Sequence, residues 1–168
     1  ITPTDFAAHL QHLDDENFSI LPLDQITDTL KSGLELPGTA IAITFDDAYI
    51  SIYTKAYPLL KSRNFPFTIF VTTNLVGSSK SYLDWQQLAE MADNGALVAN
   101  HTKSHLHLLR SEPGKSDEER EQRIGEEISG AQLEIEKHLG KSPRLFAYPY
   151  GEYNQDILAL VANLGYTG

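Results

Sequence analysis

The feature that most constrains this chain is the stretch Ala40 to Tyr49, A-I-A-I-T-F-D-D-A-Y, in which a short apolar run stops at two adjacent carboxylates. A nearly continuous apolar run such as Ala40 to Phe45 is the pattern of a strand covered on both faces, as in a parallel sheet. Such a strand needs helices around it, and the rest of the chain must supply them. The pair Asp46 and Asp47 at its carboxyl end adds a chemical constraint. Two neighbouring anions raise each other's proton affinity unless a cation compensates, so the pair is either solvated and incidental or part of a site.

The flanking sequence supplies the helices. Thr2, Pro3 and Asp5 mark a helix start, and Phe6, Leu10 and Leu13 give it one apolar face. Asp24 is placed to cap a second helix with Ile26 and Leu30 inward, which Gly33 stops. Beyond Asp47, Ile50, Tyr53, Tyr57 and Leu60 recur at helical spacing, and Pro58 implies a kink or an early break. Phe67 to Val71 reads as a second buried strand. Asp84 and Gln87 read as the capping box of a helix that turns Leu88 and Met91 inward, followed by a third strand at Ala96 to Ala99. Ser116 to His138 is the clearest helix, with Ser116 and Glu119 as its box and Ile124, Ile128, Ala131, Ile135 and Leu139 as its buried stripe. Leu145 to Ala147 resumes a strand, Tyr148-Pro149-Tyr150-Gly151 turns, and Asn154 caps a last helix. Alternation at this spacing predicts a mostly parallel sheet with right-handed crossovers, either doubly wound or a β/α barrel. Both architectures bring the carboxyl ends of the strands to one rim, where Asp46, Asp47, His101, His105, Tyr148 and Tyr150 should meet.

Composition narrows the chemistry. A chain of 168 residues with 41% apolar content fits one domain with a full core, residues 1–168. The net charge of -10, with Lys and Arg scattered, argues against a nucleic-acid partner. There is no cysteine, so any metal must be held by histidine and carboxylate. No apolar run reaches transmembrane length, and a chain that opens on Ile1 rather than Met reads as trimmed, which leaves room for a removed export signal. His101 and His105 are four apart, which would put both imidazoles on one face of a helical turn, the spacing of two-histidine metal sites. Each feature alone has a plain reading: two exposed polar residues, or Asp47 capping the next helix. Together, two His and one Asp make a facial N,N,O ligand set, with the second Asp free to act on water.

These residues carry a family resemblance. Thr44-Phe45-Asp46-Asp47, then His101-Thr102-Lys103-Ser104-His105, then Tyr148-Pro149-Tyr150-Gly151 resemble the three ordered motifs of the polysaccharide deacetylases of carbohydrate esterase family four, the NodB homology domain. The likeness spans nearly the whole chain and is strongest to the branch acting on poly-β-1,6-N-acetylglucosamine. It implies a distorted, incomplete (β/α) barrel with mostly parallel strands, trimmed here at both ends, and an exported, extracytoplasmic enzyme. It also implies metal-dependent removal of N-acetyl groups from N-acetylglucosamine-containing polysaccharide, chitin-like and peptidoglycan chains included. Asp47, His101 and His105 would hold one divalent metal, zinc first among the expectations, with Asp46 as general base and the Tyr150 backbone N–H as an oxyanion donor. Tyr148 and Pro149 would bind substrate, and Tyr148, Tyr150 and Trp85 are candidates to stack on sugar rings, although packing is the favoured role for Trp85.

Three departures from the family pattern matter. Ala48 stands where a Gly usually follows the Asp pair, a change that matters if that backbone needs a positive φ. Ala147 stands where many members have an Arg that orients the base, and Arg144 is too far upstream to replace it. The motif with the general-acid His lies beyond Gly168, and His107 and Glu152, though nearby, match no such motif. A carbohydrate-binding pseudo-enzyme on the same fold is therefore the alternative. A phosphoacceptor receiver domain, which also has paired acidic residues after a strand, lacks the later Asp and Lys it would need.

Overall fold

The computed structural model describes residues 1–111 and 113–167. Helix α1 (Pro3–Asp15) opens with the expected capping box between Thr2 and Asp5. Strand β1 (Ser19–Ile20) and helix α2 (Leu23–Lys31) follow. Asp24 does not cap α2, because Pro22 occupies that position, and Asp24 sits in the first turn, where its carboxylate favours the positive end of the dipole. Leu30 is exposed rather than inward, so α2 covers the sheet more thinly than its pattern predicts.

The apolar run at Ala40 is not one strand. It divides into β2 (Ala40–Ile41), parallel to β1, and β3 (Thr44–Asp46), parallel to β4 (Thr68–Val71). Ala42 and Ile43 carry the chain from the two-stranded sheet β1-β2 to the three-stranded sheet that β3 begins. Thr44 and Asp46 are exposed, so β3 is not covered on both faces as the run predicts. Burial on both faces belongs instead to β4, where all four residues are buried, and to most of β5 (Leu97–Asn100). The sheet order β3-β4-β5 is consecutive and parallel, and Phe146 continues it by a parallel bridge to Asn100. Consecutive order means that each crossover returns next door, the winding of a β/α barrel rather than of a doubly wound sheet. The arc is incomplete and does not close.

Between β3 and β4, residues Ile52–Ala56 form a π-helical turn that passes into α3 (Tyr57–Arg63). The break expected from Pro58 thus takes the form of one wide turn: the Tyr57 N–H bonds back to Ile52, and Pro58 sits where no N–H is needed. Helix α4 (Trp85–Asp93) has the predicted Asp84–Gln87 capping box, and α5 (Asp117–Leu139) has the Ser116–Glu119 box. Leu60, Ile69, Val71, Leu83, Leu88 and Met91 are fully buried between the sheet and its helices, and Ile124 and Ile128 of α5 seal a second cluster with Phe146. Helix α6 (Gln155–Asn163) is capped by Asn154 and leads to Tyr166, buried against that cluster.

Candidate metal centre

Two strand ends and the turn that follows Phe146 build the site. Strand β3 delivers Asp46 and Asp47, and the ladder runs one residue past it, since the Asp47 N–H donates to Phe70 O at 3.0 Å. Asp47 and Ala48 then adopt left-handed backbone, φ 67° and 61°. Ala48 is the position where the family pattern has Gly, and a positive φ there costs a residue with a Cβ roughly 1–2 kcal/mol. The turn is held from outside: Leu83 N–H donates to Ala48 O and Ile50 N–H to Ser81 O, while Tyr49 stacks on Tyr82 at 5.2 Å.

The histidines follow β5 directly. They do not lie on a helical turn, as their spacing predicts. The segment is a loop in which Thr102 (φ 66°) and His105 (φ 57°) are also left-handed. Among the described residues, seven non-glycine residues have positive φ, and five of them, Asp47, Ala48, Thr102, His105 and Tyr150, are at this rim; the other two are Asn17 and Asn64, a residue type that tolerates it. Backbone strain of this kind persists only where the surroundings over-determine it.

Asp47, His101 and His105 each direct one ligand atom to a common point, all within 4.8 Å of one another. Asp47 Oδ1 is 3.7 Å from His101 Nε2 and 3.5 Å from His105 Nε2. His101 is buried and its Nδ1 lies 2.8 Å from Ala147 O, a carbonyl that can only accept. The proton of the neutral ring is therefore on Nδ1, and Nε2 turns a lone pair towards Asp47. Burial lowers the proton affinity of His101, opposed by its bond to Ala147 and by the charges of Asp46 and Asp47, and this favours the neutral form that ligates. Asp47 Oδ1 is buried without a hydrogen-bond partner among the described residues. A buried carboxylate oxygen facing imidazole lone pairs is destabilised unless a cation lies between them, so the donor set fits a divalent metal bound by nitrogen and oxygen. The carbonyl behind His101 is the usual partner of a metal-ligating imidazole.

Asp46 is exposed, close enough for its charge to act on His101, and its carboxylate has no hydrogen-bond partner among the described residues. Arg144 does not reach it and instead pairs with Asp28 at 2.9 and 3.2 Å. Pro149 is buried in the turn Pro149–Gly151, and Tyr150 (φ 57°) is exposed beside it. The Tyr150 ring stacks on His107 at 3.9 Å and meets the edge of His105 at 4.5 Å. Tyr148 packs on Phe146 and Tyr153, and burial raises the proton affinity of its hydroxyl. His107 and Glu152, which match no family motif, are brought together here. His107 Nδ1 is 2.8 Å from Glu152 Oε1, and this bond above all lowers the proton affinity of Glu152. Trp85 is elsewhere, stacked on His138 at 4.3 Å and packed against the core, the favoured of its two roles.

Sequence reasoning missed the residues that shape the histidine loop. Asn100 is fully buried: its Nδ2 donates to Ile128 O and to Tyr166 Oη, and its Oδ1 accepts the Thr102 N–H at 2.8 Å. Thr102 Oγ1 in turn accepts the His105 N–H at 3.0 Å. Glu127 of α5 accepts the N–H groups of Lys103 and Ser104. One signal was available: Glu127 stands next to Ile128 and four residues before Ala131, at the edge of the apolar stripe of α5.

Comparison with known proteins places this arrangement. The sequence profile described as polysaccharide deacetylase matches residues 34–168. A poly-β-1,6-N-acetyl-D-glucosamine N-deacetylase of Staphylococcus epidermidis is 29% identical over 161 residues, 93% of this chain and 55% of that protein. The chain thus spans about half the length of such relatives. Among solved structures, IcaB from Ammonifex degensii is 30% identical with a TM-score of 0.88, over 99% of this chain and 74% of that one. The Streptococcus pyogenes deacetylase PplD, solved in complex with acetate, is 27% identical with a TM-score of 0.89, over 99% of this chain and 71% of that one.

Proposed function

Because the chain belongs to the polysaccharide deacetylase family, we propose that it removes N-acetyl groups from an N-acetylglucosamine-containing polysaccharide and releases acetate. The observation that carries this reading is the convergence of the orphaned Asp47 Oδ1 with the Nε2 atoms of His101 and His105, beside a second, unpartnered carboxylate, Asp46. Asp47, His101 and His105 would hold one divalent metal, for which zinc suits a histidine and carboxylate set. When bound, zinc supplies Lewis acidity, polarising a carbonyl oxygen and lowering the pKa of water from about 16 toward 7.

The protein's own groups do the rest. Asp46 takes the proton of the attacking water on a carboxylate oxygen, and its exposure and lack of partners leave that oxygen free to do so. As the acetamide carbonyl becomes tetrahedral, the Tyr150 backbone N–H donates to its oxygen, a contribution of about 3 kcal/mol for one such donor. Collapse of the tetrahedral species then breaks the C–N bond, and the leaving amine takes up a proton in balance with the one given to Asp46 as acetate is released. Tyr148 and the exposed ring of Tyr150 offer aromatic surface to the sugar, and buried Pro149 holds the turn that presents them. The names of the relatives support poly-β-1,6-N-acetylglucosamine as the substrate, and an enzyme acting on a polymer of that kind would work outside the cytoplasm. No helix among the described residues is long and apolar enough to cross a membrane.

A second reading has one observation in its favour. Ala147 occupies the position of the orienting Arg, and Asp46 is held by no side chain among the described residues, as a carbohydrate-binding pseudo-enzyme would allow. Acetate release from β-1,6- and β-1,4-linked N-acetylglucosamine oligomers by the zinc-loaded, full-length protein separates the two. Release favouring the β-1,6 oligomer is expected, and binding of oligomer without release from either overturns the enzymatic reading.

A further inference from the structure

The loop from His101 to His105 has to be bent into two left-handed residues, Thr102 and His105, before His105 can face Asp47. Neither is a glycine or an asparagine, so the bend is held by contacts rather than by backbone preference. Two contacts come from within the loop and its strand: Asn100 Oδ1 holds the Thr102 N–H, and Thr102 Oγ1 holds the His105 N–H. Thr73 and Asn74, after β4, donate their N–H groups to the carbonyls of Thr102 and Lys103. That leaves the N–H groups of Lys103 and Ser104, at the apex of the bend. Both are taken by one oxygen, Oε2 of Glu127, at 3.1 and 2.8 Å.

Helix α5 grips the same loop a second time. The aliphatic stem of Lys103 lies across Gly130, where a Cβ would meet Lys103 Cδ at 2.7 Å. Glu127 and Gly130 are three residues apart, so one turn of α5 presents a doubly accepting carboxylate oxygen and, beside it, a bare strip of backbone.

We infer that Glu127 is a positioning residue of the metal centre: its carboxylate, one helix turn from the seat of Lys103, fixes the bend that aims His105 at Asp47. This rests on the proposed metal reading of Asp47, His101 and His105. Glu127 touches neither metal nor substrate; it acts through the backbone of Lys103 and Ser104. Outer partners that orient ligands typically change metal affinity by roughly 10- to 100-fold when lost.

The test is zinc affinity, measured on folded protein by competition with a chromophoric chelator. Glu127→Ala should weaken zinc binding about 10-fold or more. Glu127→Gln, which keeps an acceptor oxygen at the same reach, should restore the affinity to within about 3-fold of the parent, because two N–H groups on one oxygen need an acceptor more than a charge. Glu127→Asp, one methylene too short, should weaken binding in the same direction as Ala and serves if the alanine variant does not fold. The neighbouring Glu126→Ala, on the exposed side of the helix, should leave zinc binding unchanged. Zinc affinity unchanged in the Ala or Asp variant, with only the thermal midpoint of the metal-free protein lowered, overturns the inference and leaves Glu127 as a stabilising cap. Failure of the parent protein to bind zinc would instead sink the metal reading itself.

Discussion

The carboxylate after β3 and the histidine loop after β5 arrive at the same point but are held there by different means. Asp47 is placed by backbone: the ladder to Phe70, two consecutive left-handed residues, and the main-chain bonds from Leu83 and Ile50 that close over the turn. Its own Oδ1 is left without a partner among the described residues. The histidine loop is placed largely by side chains, with Asn100, Thr102 and Glu127 on the loop itself and Glu152 on the segment that follows it, where it holds His107 Nδ1 and the Leu109 N–H. The difference teaches how such a site tolerates substitution. The β3 end can accept Ala48 in place of Gly because sheet and turn impose the conformation, whereas the β5 end depends on particular side chains reaching particular N–H groups.

The largest effect should come from removing the atom at which the two ends meet. His101→Ala deletes Nε2 and also the bond to Ala147, so zinc affinity should fall by more than the roughly 100-fold upper range for outer partners, and acetate release should fall with it. Metal analysis after zinc incubation and gel filtration checks this, and stoichiometric zinc in the variant would break the assignment. Next, Asp46→Asn should separate binding from turnover. Zinc affinity should stay within a few-fold while the rate of acetate release drops by about 10²- to 10⁴-fold, the range for a general base. Loss of zinc in this variant would mean that Asp46 is a ligand rather than the base.

The smallest effect tests the side-chain-built half through its root. Tyr166 Oη accepts from Asn100 Nδ2 and donates to Gln132, and burial pushes its hydroxyl up to about 12 from an ordinary 10.0. Below pH 10 the tyrosine is neutral whether the chain is folded or unfolded, and its contribution is fully present. Between pH 10 and 12 the unfolded chain ionises first, so stability falls by roughly 2–3 kcal/mol as pH rises through that window. Tyr166→Phe should cost about 1 kcal/mol at neutral pH and remove most of this alkaline loss. Chemical denaturation at pH 7, 10 and 11.5 checks both, and an alkaline slope unchanged by the substitution would show that Tyr166 is not its source.

Much of the architecture was legible because it rests on local rules. The capping boxes at Thr2, Asp84 and Ser116, the stripe of α5 and the buried strand β4 stand where the pattern puts them. Two readings failed for a shared reason. A continuous apolar run does not reveal that Ala40–Ile41 and Thr44–Asp46 pair with different partners, since pairing is non-local. An interval of four between histidines looks the same in a helix and in a strained loop.

By itself, then, the sequence determined the alternation of strands and helices, the rim at which polar residues would gather, and a donor set without thiolate, because propensity, capping and residue chemistry are properties of short segments. The tertiary structure decided the split of the opening run, the left-handed turns at Asp47, Ala48, Thr102, His105 and Tyr150, and the part played by Asn100, Glu127 and the His107–Glu152 pair. The parts played by Asn100, Glu127 and the His107–Glu152 pair depend on hydrogen bonds between groups 23 to 66 residues apart, which no local pattern encodes. The opening carboxylates share that division: their place at a strand end is written in ten residues, but the proposed separation of Asp47 as ligand from Asp46 as free acceptor rests on the histidines that β5 brings across the sheet.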